Sequence, residues 1–160
     1  MKPSRLLNFA GLFLIALIAV SAASAFAAAN SVPFTRLDED TLSISANDLK
    51  PSECAGINLT NIVAGGGSIN GTGANDLILG SAGDDNMRGQ GGTDCIVGGG
   101  GDDRLSGGGG GDVVLGGGGD DTLLGGQGND SLYGGLDTDD CDGGQGTDTA
   151  DSCETTTKIP

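Results

Sequence analysis

The chain contains no histidine and no tryptophan, and only five of its 160 residues are aromatic. Without histidine it cannot form a Ser-His-Asp or Cys-His catalytic arrangement, or the H-E-x-x-H zinc helix of many secreted proteases. The G-x-S-x-G sequence of a nucleophile elbow is also missing. These absences predict that the protein is not an enzyme.

Basic residues are scarce as well. Seven Lys and Arg stand against 22 Asp and Glu, which gives a formal net charge of −15. A surface of this sign repels nucleic acid and anionic membranes and attracts divalent cations. We therefore expect no nucleic-acid partner. Glycine runs such as residues 107–111 are not followed by G-K-[ST], so they do not predict a phosphate-binding loop.

Residues 71–151 form nine contiguous copies of one nonapeptide, beginning with GTGANDLIL. Position 1 is glycine in every copy and position 8 is apolar in every copy, from Ile78 to Ala150. Position 6 is aspartate in all nine copies: Asp76, Asp85, Asp94, Asp103, Asp112, Asp121, Asp130, Asp139 and Asp148. A fixed period of this kind dictates the architecture. A disordered acidic linker, which is the alternative for a chain rich in Gly and Asp, predicts no such phase.

The pattern resembles the RTX, or haemolysin-type, calcium-binding nonapeptide repeat G-G-x-G-x-D-x-U-x, in which U is a large apolar residue. The resemblance implies an all-β fold, a parallel β-roll (a right-handed β-solenoid) in which two copies make one coil. It also implies that Ca²⁺ is the cofactor and that the position-6 aspartates are its ligands. It does not extend to a toxin or pore-forming role, because the chain lacks the large domains that carry those roles.

Elementary energetics agree with a need for calcium. Each coil buries only two side chains, which contribute about 3–5 kcal/mol. Ordering the residues of a coil costs about 1–2 kcal/mol each in backbone entropy, and glycine costs most. Calcium is a hard cation that takes six to eight oxygens from carboxylates and carbonyls. We expect ions between aspartates two copies apart, such as Asp76 and Asp94, with Asp or Asn at position 5 as additional ligands.

The ends of the array are irregular, as solenoid caps usually are. Residues 62–70 look like a degenerate copy with Ile69 at the apolar position and no aspartate. We therefore divide the chain into a signal peptide (1–27), an N-terminal capping segment (28–70), the roll (71–151) and a C-terminal tail (152–160).

The N-terminus reads as a targeting segment. Lys2 and Arg5 precede a nine-residue apolar stretch at residues 12–20, and Ala-x-Ala sequences follow. This order is typical of a secretory signal peptide, and we expect cleavage between residues 25 and 30. The alternative is an uncleaved signal anchor, since residues 6–29 are just long enough to span a bilayer. Cleavage would leave a secreted, extracellular chain without a membrane span.

Four cysteines in an exported chain are disulfide candidates: Cys54, Cys95, Cys141 and Cys153. Three pairings are possible, and positions along the chain favour Cys141–Cys153 and Cys54–Cys95. The alternatives are unpaired cysteines and thiolate ligation of a metal, although no C-x-x-C spacing supports zinc.

The two outward faces of the roll differ in polarity. Even copies place polar residues such as Arg88 and Arg104 outward. The odd copies place mostly apolar residues there: Leu77, Leu79, Cys95, Val97, Val113, Leu115, Ser131, Tyr133, Thr149 and Asp151. An apolar strip of this kind normally contacts something. We expect residues 30–65 to cover it, with residues 41–46 as a strand of period two. The alternative is a binding face for a cell-surface, matrix or protein partner, or for self-association.

Two functions fit this sequence. The first is a secreted calcium-binding repeat protein that folds on binding Ca²⁺ and acts as an extracellular structural or interaction module. The second is an accessory module of a secreted enzyme, adhesin or toxin system.

Overall fold

A computed structural model describes residues 44–159, so the predicted signal peptide and residues 28–43 lie outside the described residues. The described part has one short α-helix, α1 (Ala46–Leu49), a 3-10 turn (Ser52–Cys54) and twelve β-strands. The strands are β1 (Asn61–Ala64), β2 (Ser68–Asn70), β3 (Asp76–Leu79), β4 (Asn86–Gly91), β5 (Cys95–Gly100), β6 (Arg104–Gly109), β7 (Val113–Gly118), β8 (Thr122–Gln127), β9 (Ser131–Leu136), β10 (Asp140–Gln145), β11 (Thr149–Asp151) and β12 (Thr155–Thr157). Within this range no helix is long and apolar enough to cross a membrane.

The strands form two parallel six-stranded sheets. One sheet has the order β1-β3-β5-β7-β9-β11 and the other has the order β12-β10-β8-β6-β4-β2. We call them the odd sheet and the even sheet. Successive strands therefore alternate between sheets, and each pair of strands makes one coil. Equivalent residues of neighbouring coils are in register, as Ile96 is with Ile78 and Val114. The prediction of an all-β parallel β-roll is confirmed.

The glycines of the repeat meet two different needs. From the third copy to the ninth, positions 2 and 4 have φ between +78° and +145°, where glycine alone is unstrained. Gln90 and Asp137 are the two non-glycine residues at these positions, and they adopt the same conformation. Position 1 is glycine for lack of space, since a Cβ atom on Gly143 would lie 2.6 Å from Asp148 Oδ2.

The core is the predicted column of position-8 residues. Its buried members are Ile69, Ile78, Met87, Ile96, Leu105, Val114, Leu123, Leu132 and Cys141. Ala150 packs against the end of the column and is partly buried, and Cys153 and Ile159 join it there. Each of the strands β1–β11 supplies one side chain to the column, so neighbouring coils supply most of the contacts that bury it.

A segment N-terminal to the roll covers the apolar face of the odd sheet. Ala46, Cys54, Ile57 and Leu59 form a second buried cluster with odd-sheet residues, among them Leu115. Leu79, Val113 and Tyr133 pack against this cluster and are partly buried. This covering segment, residues 46–59, is part of the predicted cover 30–65, so much of the face that we considered for a partner is occupied by the chain itself. Residues 61–64 instead form β1 within the odd sheet, and residues 30–43 lie outside the described residues.

Residues 44–46 of the strand predicted over residues 41–46 do not form a strand. Ala46 begins α1 instead, and Ser45 N–H donates to the Asp48 carboxylate at 2.9 Å across the first turn. Residues 41–43 lie outside the described residues. The Asn47 amide then accepts from Leu59 N–H at 3.0 Å and donates to its carbonyl at 2.7 Å. These side-chain bonds connect α1 to the chain just before β1, and a period-two pattern could not reveal them.

The roll is longer than the predicted range 71–151. β1 and β2 extend it at the N-terminal end, and β12 extends it beyond residue 151. Residues 62–70 do behave as a copy, with Ile69 in the core. β1 and β12 were missed because they break the period: Asn61 aligns with Asp76 and Asp140 with Thr155, a step of 15 residues where full coils step by 18.

Both disulfides favoured by the sequence are present, Cys54–Cys95 and Cys141–Cys153. The first joins the covering segment to β5, and the second joins β10 to the chain before β12. Cross-links stabilise mainly by restricting the unfolded chain, and more so for longer loops.

We expect the double substitution Cys54→Ala with Cys95→Ala to lower the free energy of unfolding by about 4 kcal/mol in the loop-entropy description. Cys141→Ala with Cys153→Ala is the matched control, with an expected loss of about 3 kcal/mol because its loop is shorter. Urea unfolding in saturating calcium measures both values. A larger loss for the control pair would contradict this ordering.

Candidate metal centre

The nine position-6 aspartates line the turns of the roll as what we call the inner row. They are buried, with exposed fractions of 0–4%: Asp76, Asp85, Asp94, Asp103, Asp112, Asp121, Asp130, Asp139 and Asp148. Asp, unlike Leu or Ile, is almost never fully buried without a partner. A whole row of buried carboxylates therefore demands compensation.

Each inner-row aspartate contacts its counterpart one coil away. Asp94 N–H donates to Asp112 Oδ1 at 2.8 Å, and Asp112 N–H donates to Asp130 Oδ1 at 2.8 Å. The same bond recurs seven times from Asp76 to Asp148, at 2.8–3.0 Å. The structure thus brings together the aspartates two copies apart that the sequence paired. It adds a backbone-to-carboxylate ladder that fixes their orientation.

The second oxygen of most of these carboxylates has no hydrogen-bond partner. The unpaired buried atoms are Oδ2 of Asp94, Asp103, Asp112, Asp121, Asp130, Asp139 and Asp148. A buried charged oxygen without a partner is costly, so each native case needs an explanation. A bound cation at each turn would provide it.

A backbone oxygen of the next coil converges with six of the seven unpaired carboxylate oxygens, all except that of Asp148. A Cβ atom built on Gly125 would lie 2.5 Å from both Asp130 Oδ2 and the carbonyl oxygen of Gly143, one coil on. Among the described residues no three His, Cys, Asp or Glu side chains converge on one point. Carboxylate and carbonyl oxygens from successive coils are the donor set that suits Ca²⁺, which supplies compact positive charge without demanding a fixed geometry. The inner row and the position-1 carbonyls are the residues that fit it.

Burial raises the pKa of several inner-row aspartates. It raises the pKa of Asp94 and Asp121 to about 6. It raises the pKa of Asp103 and Asp112 to about 7. Hydrogen bonds from the backbone oppose the rise in pKa, and neighbouring inner-row carboxylates add to it. These four carboxyl groups resist ionisation unless a positive charge accompanies them.

These pKa values predict how the metal-free protein responds to pH. A carboxyl with a raised pKa binds its proton more tightly in the folded state, so its contribution to stability is complete below its unfolded value and is lost as pH rises through about 6 to 7. We expect circular dichroism in metal-depleted buffer to show more β-structure at about pH 5 than at about pH 8. At a fixed calcium concentration the gain in β-structure on adding the ion should be larger at about pH 8 than at about pH 5, because protons and calcium compete for the same oxygens. Equal signals at both pH values without metal would contradict the prediction.

Position 5 contributes hydrogen bonds of its own. We call these side chains the outer row. Asp84 Oδ1 accepts from Asp102 N–H at 3.0 Å, and Asn75 Oδ1 accepts from Thr93 N–H at 2.8 Å. The outer row thus bonds to the next coil in the opposite direction to the inner row. We predicted position 5 to supply further ligands, and this ladder leaves that prediction untested.

Two residues that close the inner row were not predicted. Glu154 Oε2 accepts from Asp139 N–H at 2.7 Å, in the place of a further inner-row aspartate. At the other end Asn61 Nδ2 donates to Asp76 Oδ1 at 2.6 Å. The signal in the sequence was an oxygen-bearing side chain at the start of a short strand, as at Asn61, or directly before one, as at Glu154. Both residues stand 15 positions from their partners and fall outside the nonapeptide phase.

Comparison with known proteins agrees with this geometry. The family model for the RTX calcium-binding nonapeptide repeat matches in four copies, over residues 63–94, 70–105, 91–123 and 115–150. Together the matches span residues 63–150, which is more than half of the 160-residue chain. A search of the curated proteins gave no match, and neither did a search of the solved structures. The chain belongs to the RTX calcium-binding nonapeptide repeat family.

Proposed function

We propose that this chain is a secreted calcium-binding repeat protein whose roll folds when it binds Ca²⁺. In this proposal it acts outside the cell as a structural or interaction module and has no catalytic activity. The observation that carries the proposal is the row of seven buried carboxylate oxygens without a hydrogen-bond partner.

These unpaired buried charges make folding of the roll depend on calcium. Burial of an ionised carboxylate without a partner costs several kcal/mol, and removing the partner of a buried charge destabilises a protein by about 3–5 kcal/mol. The thin core supplies little to offset several such charges. A ligand that binds only the folded chain stabilises it in proportion to its binding free energy. Calcium at the turns would therefore decide whether the roll or the disordered chain is populated.

Secretion is supported by two features. One is the sequence of charged, apolar and small residues within residues 1–29, which is typical of a signal peptide. The other is the pairing of all four cysteines, since disulfides persist in oxidising compartments outside the cytosol. Extracellular modules bind calcium with a Kd of about 10⁻⁴–10⁻³ M. Weak sites would therefore suffice in that environment.

A partner of the module would find the even sheet more accessible than the odd sheet. The covering segment occupies much of the odd face, whereas Arg88, Arg104 and Asp140 of the even face are exposed. At one end of this face Lys158 Nζ lies 2.9 Å from Asp142 Oδ2. The charged character of the even face favours a polar partner over an apolar one.

Circular dichroism during a calcium titration of the processed chain tests the proposal. We expect a disordered spectrum after exhaustive chelation and a cooperative gain of β-structure on adding calcium. An equal concentration of magnesium should have little effect, because magnesium demands octahedral geometry and releases its water reluctantly. A spectrum that is equally ordered with and without calcium would overturn the proposed function.

Export is tested separately. The full chain should appear outside a bacterial or eukaryotic expression host with a new N-terminus between residues 25 and 30. Retention of the intact N-terminus in the membrane fraction would instead support the signal-anchor alternative.

A further inference from the structure

The two edges of the roll carry different charges. Turns of the even copies, residues 80–85, 98–103, 116–121 and 134–139, lead from the odd sheet to the even sheet and form what we call the even edge. Turns of the odd copies, residues 71–76, 89–94, 107–112, 125–130 and 143–148, form the odd edge. The even edge has eight carboxylates in four turns, and the odd edge has five in five turns.

The difference lies mainly in the outer row. At the even edge it consists of Asp84, Asp102, Asp120 and Thr138, and at the odd edge it consists of Asn75, Thr93, Gly111, Asn129 and Thr147. Asp84, Asp102 and Asp120 are exposed and follow one another in a single file. Each accepts from the backbone N–H of the next coil at 3.0 Å. This ladder holds like charges one coil apart, which is repulsive unless a cation screens them.

The outer-row carboxylates act on the unpaired oxygens of the same edge. Asp103 and Asp121 are 3% and 2% exposed, and Oδ2 of each lacks a hydrogen-bond partner. Asp84 lies close enough to Asp103 to repel its charge, and Asp102 and Asp120 do the same to Asp121.

The odd edge lacks this second set of charges. The carboxylates that repel Asp112 are Asp94 and Asp130, which are its own neighbours in the inner row. For Asp94 the repelling carboxylate is Asp76. Inner-row aspartates of both edges thus have an unpaired Oδ2, while the electrostatic potential around them differs.

We propose that the two edges are distinct classes of calcium site, and that the even edge binds calcium more tightly and fills first because its outer-row carboxylates add attraction for the ion. This inference rests on the proposed calcium-dependent folding and states where that binding begins. A divalent cation within about 5 Å of an additional surface carboxylate gains enough attraction, even in water, to bind about tenfold more tightly. The odd edge, with amide and hydroxyl groups in the same places, fills at higher calcium.

The sequence offers a charge-only test. Asparagine keeps the Oδ1 acceptor of the outer row, as Asn75 and Asn129 already accept from the next coil at 2.8 and 2.9 Å. The triple variant Asp84→Asn, Asp102→Asn and Asp120→Asn therefore removes charge from the even edge and retains the ladder. The matched variant Asn129→Asp adds charge to the odd edge by the same exchange in reverse. Asn75 is left unchanged because its Nδ2 donates to the Asn58 carbonyl at 3.1 Å, a bond that aspartate could not make.

Calorimetric calcium titration of the processed, oxidised chain gives the affinities, and tyrosine fluorescence indicates the edge. Tyr133 is the only tyrosine and directly precedes the even-edge turn at residues 134–139. We expect two classes of site in the wild type, with the Tyr133 signal changing in the first. The triple variant should lose about tenfold in the affinity of the tight class, and the matched variant should tighten the weak class.

The outcomes separate this inference from the proposed function. Equal affinities in the wild type and the triple variant, with calcium-dependent folding intact in both, would overturn the edge assignment alone. A Tyr133 signal that changes only in the weak phase would overturn it as well. A wild-type chain that neither binds calcium nor changes its fold would overturn the proposed function first. Circular dichroism at saturating calcium verifies that both variants fold.

Discussion

Replacing Asp112 by asparagine should destabilise the calcium-loaded roll and stabilise the metal-free roll. Asp112 lies in the middle of the inner row and is 1% exposed. Its Oδ1 accepts from Asp94 N–H at 2.8 Å, a bond that asparagine can keep. Its Oδ2 lacks a partner, so in the absence of metal the substitution removes a buried charge that nothing compensates. In the presence of calcium it removes a charged ligand.

The expected sizes follow from binding linkage and desolvation. A site held at a hundredfold excess of calcium over its Kd contributes about 2.7 kcal/mol, and most of that is lost if the site no longer fills. Without metal we expect a gain of about 2 kcal/mol at pH values above the raised pKa of Asp112. Urea unfolding at about pH 8 measures the first value. The gain in stability without metal is measured in metal-depleted buffer with an osmolyte, which favours the folded state and keeps the roll populated.

A matched control is Asp120→Asn, which removes an exposed outer-row charge and keeps its hydrogen bond. This substitution should change the metal-free stability by less than about 0.5 kcal/mol, as is usual at exposed positions. If Asp112→Asn destabilised the protein equally in both conditions, the aspartate would be acting only as a structural hydrogen-bond acceptor.

Gly119 is the second position at which a single substitution should strongly lower the stability of the protein. Gly119→Ala should lower the free energy of unfolding by about 3 kcal/mol, combining a left-handed backbone with overpacking. Gly119 has φ +114°, and a Cβ atom there would lie 2.6 Å from the carbonyl carbon of Gly101 in the preceding coil. The coils cannot separate to relieve this contact without breaking the parallel hydrogen bonds between β5 and β7.

The neighbouring glycine provides the control. A Cβ atom on Gly118 meets nothing within 4 Å, and its backbone is not left-handed. Gly118→Ala should therefore be neutral or slightly stabilising, since alanine lowers the entropy of the unfolded chain by about 0.4–1 kcal/mol. Denaturant unfolding of the two variants in the same calcium buffer decides the matter. Equal destabilisation by both would show that glycine is needed at position 3 for a reason the coil geometry does not contain.

The turns show which part of the repeat the sequence could explain. Glycine at a fixed position predicted a turn, and Gly119 and Gly143 both lie in one. The sequence could not tell that position 4 needs a left-handed backbone while position 1 needs an absent side chain. That distinction depends on the oxygens that lie against each glycine. For Gly119 they belong to a carbonyl 18 residues away in the neighbouring coil, and for Gly143 they belong to a carboxylate of the same turn.

The segment that covers the odd sheet was also predictable only in part. An excess of apolar residues on one face indicated that something packs there, and Cys95 indicated where a cross-link could reach. The helix at Ala46 was not predictable, because the alternating residues before it favoured a strand. Side-chain bonds from Asn47 to the distant Leu59 support the observed arrangement instead.

What the sequence alone determined was everything that repeats: the parallel stacking, the apolar column and the common position of nine aspartates. A strict nonapeptide period forces these features, since every copy must meet the same neighbours as the one before. What only the tertiary structure decided was everything that ends or distinguishes the repeat: the terminal coils closed by Asn61 and Glu154, the covering segment, and the unpaired second oxygen of the buried aspartates. These depend on distances between groups that no period relates, and such distances exist only once the coils are stacked.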